Sequence, residues 1–279
     1  MERPVLRYFG GKWRLAPWVI SHFPAHRRYV EPFGGAASVL LQKVPAYAEV
    51  YNDLDGSMVS FFRTLRSPWK RACLQDALRL TPYSREEFAA AREPAEMDVE
   101  RARRLCVRSY MAHGSSGLRA RSTGFRPEYA NPVKCASQLI CWRTLPDRLD
   151  EVAARMMSVV IENLDAVELI GRVDEPETLI YCDPPYQFST RKAGTLAEYK
   201  HEMSDGQHAE LMDCLAASKA MVVLSGYPGS MYDGLGWEAV DVDVFTLEGA
   251  ARVDRLWLNP LVSERLERAA AVQQLEFEM

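Results

Sequence analysis

Apolar residues fall into two rhythms along the chain. Leu179-Ile180-Tyr181-Cys182 is a short unbroken run, the pattern of a strand buried on both faces of a parallel sheet. Val30-Glu31 and the apolar stretch ending at Asp53 read as further strands, and another is expected at residues 157–161. Between them the period changes. Met58-Val59-Ser60-Phe61-Phe62-Arg63-Thr64-Leu65 has helical spacing, and Ser84-Arg85-Glu86-Glu87-Phe88 resembles a capping box. Residues 57–112 therefore read as helices, 113–132 as a loop, and about 133–155 as a helix with Trp142 and Leu149 facing inward. The tail after Pro260 reads as a charged helix. The sum is an α/β protein whose sheet is interrupted by a mainly helical insertion, with no internal repeat or low-complexity linker.

Two turns in this pattern carry chemistry. Asp183-Pro184-Pro185-Tyr186 follows the buried run directly, at the carboxyl end of a strand, where open α/β sheets bind ligands. The prolines fix φ and remove two amide donors. Asp183 and the carbonyl of Pro184 can then accept the two N–H bonds of an exocyclic amine, while the Tyr186 ring stacks on the base that carries it. A strand-ending turn with a packed tyrosine would use the same four residues. In the second turn, Val30-Glu31-Pro32-Phe33-Gly34-Gly35-Ala36-Ala37-Ser38-Val39 reads as strand, tight glycine turn, then a helix whose N-terminus faces a ligand. The G-x-G-x-x-G spacing of dinucleotide sites is missing, yet Asp53 is placed to hold a ribose diol. A helix-packing turn would explain the glycines equally, and a helix N-cap would explain Asp53.

Charge adds a third feature. The chain has 34 Lys and Arg against 38 Asp and Glu, a net charge of −4, but residues 101–148 hold ten basic and two acidic residues. That local balance of +8 leaves −12 elsewhere. Within it, Ser115, Ser116, Arg119, Arg121, Ser122 and Arg126 form a glycine-flanked loop suited to following a phosphate backbone into a groove, with Lys134 close behind. Arg101, Arg103, Arg104 and Arg108 fit a solvated helix face as well as a DNA contact. Six cysteines include no Cys-x-x-Cys pair and five histidines show no ligand spacing, so no metal site is expected. No run approaches a membrane span and no signal peptide is visible, which points to a cytoplasmic protein.

Phe9-Gly10-Gly11-Lys12, Glu31-Pro32-Phe33-Gly34-Gly35, Asn52-Asp53 and Asp183-Pro184-Pro185-Tyr186, in that order, resemble the Dam-type (class alpha) DNA adenine-N6 methyltransferases over about residues 6–260. Ile161–Asp165, Tyr199–Met203, Val222–Tyr227 and Leu256–Asn259 resemble that family's later strands. Tyr8-Phe9 and Ala166 depart from its usual Trp-Ala and aromatic residue. The resemblance implies a Rossmann-like S-adenosylmethionine-dependent methyltransferase sheet over 1–56 and 157–262, a target-recognition domain over 57–156 and a helical tail over 263–279. It also implies S-adenosylmethionine as donor and an adenine flipped from double-stranded DNA as acceptor; oligomeric state stays open between a monomer that methylates one strand at a time and a homodimer that holds both half-sites. Carried over residue by residue, it places Tyr8, Gly10, Gly11 and Lys12 at the methionine end of the cofactor and in the catalytic pocket. Glu31, Phe33, Gly34 and Gly35 would surround its sulfonium and ribose, Asp53 would hold the ribose hydroxyls, and Asn163, Leu164 and Asp165 would neighbour its adenine. Asp183, Pro184, Pro185 and Tyr186 would be catalytic, with Asp183 also facing the cofactor. Two other readings stay open: cytosine N4 as acceptor, since it needs the same two hydrogen-bond acceptors and stacking ring, and a DNA-binding protein that keeps the cofactor fold without turnover.

Overall fold

The computed structural model describes residues 1, 3–113, 116–118, 124–127, 132–191, 199–245 and 251–277. After α1 (Ala16–Ser21), β1 (Arg28–Glu31) and β2 (Ala48–Asn52), the chain runs through α2 (Gly56–Arg66), α3 (Pro68–Leu80), α4 (Arg85–Ala90), α5 (Asp98–Met111) and α6 (Pro132–Met156). It then alternates: β3 (Val159–Glu162), α7 (Ala166–Val173), β4 (Thr178–Cys182), α8 (Asp205–Ala216) and β5 (Met221–Gly226). An edge pair, β6 (Glu238–Phe245) and β7 (Ala251–Leu258), precedes α9 (Pro260–Phe277).

The strands form one seven-stranded sheet in the order β3-β2-β1-β4-β5-β7-β6. β1 to β5 are parallel, and β7 lies antiparallel to both β5 and β6. All five residues of β4 and all six of β5 are buried, because helices cover both faces. Successive residues of β4 alternate between two cores: Leu179 and Tyr181 belong to the one that includes residues of α2, α5 and α6, whereas Ile180 and Cys182 belong to the one that includes residues of α7 and α8. The chain reverses direction across the sheet between β1 and β4, which opens a crevice at their carboxyl ends. Glu31 ends one of these strands and Asp183 follows the other.

The helices between β2 and β3 follow the expected layout, with Trp142 and Leu149 buried on α6. Asp55 caps α2 through the amide of Ser57 at 2.9 Å and Ser67 caps α3, contacts that typically contribute about 1 kcal/mol each. The capping box at α4 is half formed. Ser84 accepts from the amide of Glu87, but the Glu87 carboxylate turns instead to Arg103 at 2.7 Å.

Four further expectations need correcting. No regular helix follows the double glycine: residues 35–42 form successive turns, because Gly35 (φ 48°) and Ala37 (φ 54°) take left-handed conformations that interrupt a right-handed helix. The strand expected at 157–161 begins at Val159 and extends to Glu162. Tyr199–Met203 is an irregular segment, since Glu202 folds it back by accepting from the Tyr199 amide (2.9 Å) and pairing with Arg191 (2.6 Å). Three of the four arginines of α5 are tied within the bundle, while Arg101 stays exposed 3.8 Å from Asp98: Arg103 pairs with Glu100 and Glu87, Arg104 with Glu100, and Arg108 donates to the carbonyl of Ala91.

Candidate active site

Two cavities meet at the carboxyl end of the sheet. The smaller, about 220 Å³, is lined by every expected cofactor residue except Asn163. The larger is a groove of about 1230 Å³ on the other side of residues 8–12, and Tyr8, Phe9, Gly10, Gly11, Lys12, Ser38 and Tyr199 line both. The N-terminal segment, with Ser38 and Tyr199, supplies the shared wall.

Lys12 is the centre of that wall. Its side chain is only 7 % exposed, and Nζ donates to the Tyr186 hydroxyl (2.6 Å) and ion-pairs with Asp183 Oδ1 (3.0 Å). Burial disfavours its charge more than any single neighbour favours it, but Asp183 together with Asp254 and the nearby tyrosines holds the ammonium above its ordinary range. Burial in turn raises Asp183, against the pull of Lys12. Tyr186 is fixed at its hydroxyl by Lys12 and Ser225 (3.1 Å), and at its edge by Tyr227, whose ring lies 4.3 Å away at 79°. Arg191 donates to the Tyr186 carbonyl at 2.7 Å and so holds the turn from outside.

Glu31 lies deeper, 3 % exposed, with Oε1 accepting from the Tyr29 hydroxyl (2.6 Å) and the Leu40 amide (2.7 Å). Burial pushes its carboxyl up to about 7 despite those donors. Asp53 accepts from the amides of Gly35 and Asp55, both at 2.7 Å, and burial raises it to about 6. Asp53 thus braces the glycine turn, and the helix cap falls to Asp55. Gly34 is required by packing, since a Cβ there would sit 2.2 Å from the Tyr51 ring. Gly10, at φ 72°, similarly faces Tyr199.

Asn163 is exposed and donates to the Asp53 carbonyl at 2.6 Å, outside the cavity lining. Asp165 caps α7 at the rim, next to Leu164. Ser115, Arg119, Arg121 and Ser122 lie outside the described residues, as do the side chains of Ser116 and Lys134. Arg126 lines the large groove.

That groove was not legible as a charge run. Its described lining carries Arg3, Arg7, Lys12, Arg14, Arg126, Arg148, Arg191 and Arg252 against a single carboxylate, Asp254. Only Arg126 and Arg148 come from the segment singled out by counting. Buried Asn52 also escaped notice as a brace: it donates to the carbonyls of Pro32 and Leu164 and accepts from the Leu164 amide, joining two loops of the smaller cavity. The Asn-Asp word at the end of β2 was its only signal. Among the described residues no group of three or more His, Cys, Asp or Glu side chains is arranged to hold a metal. Nor is any described helix long and apolar enough to cross a membrane.

A mixed α/β fold with a mostly parallel seven-stranded sheet, and an Asp-Pro-Pro-Tyr turn between an acidic cavity and a basic groove, define the class. The D12 class N6 adenine-specific DNA methyltransferase family matches residues 8–227, and the chain belongs to it. It is also similar to the DNA N-6-adenine-methyltransferase of Escherichia phage P1, 22 % identical over 244 residues. That match covers 81 % of this chain and 30 % of the phage protein, so the chain spans about a third of its relative's length.

Proposed function

We propose that the protein methylates N6 of adenine in duplex DNA, with S-adenosylmethionine in the smaller cavity and DNA along the basic groove. The observation that carries this reading is the shared wall: Asp183 lines the cofactor side, Tyr186 lines the groove, and Lys12 lines both. An acceptor nitrogen inside a base stack cannot reach that wall, so the adenine must rotate out of the duplex into it. The cavity suits a cationic cofactor, because Glu31, Asp53 and Asp183 line it with acidic groups near the aromatic rings of Tyr8 and Phe33. Bound there, S-adenosylmethionine supplies an electrophilic methyl on a positively charged sulfur.

The chain's own residues do the remaining work. Tyr186 stacks on the rotated base, its ring clamped by Lys12, Ser225 and Tyr227. Asp183 and the Pro184 carbonyl accept from the amine, leaving the nitrogen lone pair directed at the cofactor cavity and stabilising positive charge that develops on the nitrogen. Lys12 keeps Asp183 ionised and in register. Pro185 fixes the turn, and Asp53, steadied at its carbonyl by Asn163, frames the nucleoside end of the cofactor with Leu164 and Asp165. Arg3, Arg7, Arg14, Arg126, Arg148 and Arg252 of the groove neutralise phosphates, and the helices inserted between β2 and β3, with residues Ser115–Arg126 and Lys134, form the target-recognition part.

Incubating the protein with duplex DNA and S-adenosylmethionine, then digesting to nucleosides for mass spectrometry, tests this. N6-methyladenine is expected. N4-methylcytosine would transfer the reaction to cytosine, and cofactor binding with no methylated nucleoside would contradict catalysis.

A further inference from the structure

The reaction outlined above gives no part to Arg191 and Glu202, an ion pair that connects the two cavities. Arg191 lines the groove and Glu202 lines the cofactor cavity. Their contact is two-pronged: Nη1 donates to Oε1 at 2.9 Å and Nη2 to Oε2 at 2.6 Å. The third nitrogen of the same guanidinium, Nε, donates to the Tyr186 carbonyl at 2.7 Å. One planar group thus grips the base-stacking tyrosine and a wall of the cofactor cavity together, which the rigid donor fork of arginine permits and the single ammonium of lysine does not.

The Arg191 side chain is 4 % exposed with all three nitrogens engaged, so it is poorly placed to take a phosphate. Its guanidinium carbon lies 4.4 Å from the centre of the Phe188 ring and 5.4 Å from that of Tyr199. Tyr199 donates its amide to Glu202 at 2.9 Å, packs on Phe9 with ring centres 5.5 Å apart, and lines both cavities. We infer that Arg191 and Glu202 are positioning residues that couple the two sites: a cofactor packed against Glu202 and Tyr199 sets, through Arg191, the Tyr186 turn that receives the rotated base. This rests on the methyltransferase reading of the site. The cofactor favours the paired arrangement because residues 199–203 line its cavity while Glu202 holds them folded back, and a ligand shifts an equilibrium only by such a difference in affinity. The coupling is reciprocal, so a base on Tyr186 tightens the cofactor by the factor with which the cofactor tightens DNA.

The test uses the full chain, S-adenosylhomocysteine as the probe of the cofactor cavity, and a duplex bearing the methylated motif. Duplex affinity is measured by fluorescence anisotropy with and without saturating S-adenosylhomocysteine, and the ratio of the two cancels any direct effect of a variant on DNA binding. The unaltered protein should bind the duplex about tenfold more tightly with the probe present. Arg191→Lys keeps the charge without the fork, and Glu202→Gln keeps the shape without the charge; in each the ratio should fall to about twofold. The double variant should lose no more coupling than either single one, because both break the same link. A ratio undiminished in the single variants, losses that add in the double one, or no tightening in an unaltered protein that methylates adenine would overturn the inference and leave the reading of the site intact. Absence of methylation by the unaltered protein on any DNA would overturn both. Circular dichroism checks the fold of each variant, and where one single variant folds poorly the ratio in the other decides.

Discussion

Glu31→Gln separates the stability of the empty fold from the demands of its site. The Glu31 carboxyl is 3 % exposed and pushed up to about 7, because burial disfavours its charge more than the Tyr29 and Leu40 donors favour it. The native state therefore keeps a proton that the unfolded chain has released. The stability linked to that proton is fully present below the ordinary Glu value of 4.5, falls as pH rises through about 7, and stays lost above it. At about 1.4 kcal/mol per pH unit, the gap amounts to about 3 kcal/mol. Glutamine keeps an oxygen for the same two donors and never ionises. Glu31→Gln should therefore match the unaltered protein near pH 4.5 and exceed it at pH 8 by about 3 kcal/mol, about 5 °C in Tm for a chain of this size. Thermal unfolding followed by circular dichroism across pH 4.5–8 measures this. The same change removes negative charge from the cavity, so affinity for S-adenosylmethionine should fall about fivefold, and affinity for S-adenosylhomocysteine, whose sulfur is neutral, should fall less. A Tm difference independent of pH, or a variant less stable at pH 8, would refute the reasoning.

Lys12→Met removes the 3.0 Å pair with Asp183 and the 2.6 Å contact to Tyr186, leaving a largely buried carboxylate without its cation. Losing one partner of such a pair costs about 3 kcal/mol, so the single-turnover rate should fall about a hundredfold. The acid limb of its pH profile should move upward, because Asp183 then gains its proton at higher pH; an unmoved limb would contradict the pairing. Ala37→Gly relieves a buried residue at φ 54° and should raise stability by about 0.5 kcal/mol after glycine's extra chain entropy, with activity unchanged. Gly34→Ala drives a methyl into the Tyr51 ring and should cost about 3 kcal/mol, read as a lower denaturant midpoint.

The parts of the fold that sequence patterns revealed are those governed by burial and local turn chemistry. β4 showed itself because both its faces are covered, and α2 and α6 because one face of each is apolar. The Asp-Pro-Pro-Tyr and glycine turns showed themselves because few other residues satisfy their backbones. What stayed hidden depends on the chain folding back on itself. Residues 35–42 look helical, but two left-handed residues stop them. The basic groove draws Arg3, Arg7 and Arg14 from the N-terminal segment, Arg191 from the loop after β4 and Arg252 from β7, so no window of sequence contains it. Arg103, Arg104 and Arg108 look like a solvated or DNA-binding stripe until their partners on α4, α5 and the turn between them come into place.

The most direct test of the central claim is single-molecule sequencing of DNA from a methylation-free host that expresses the protein, with Asp183→Ala as control. N6-methyladenine at one defined motif, absent from the control, is the expected result. Unmodified adenine in both, or methylation undiminished by Asp183→Ala, would contradict it.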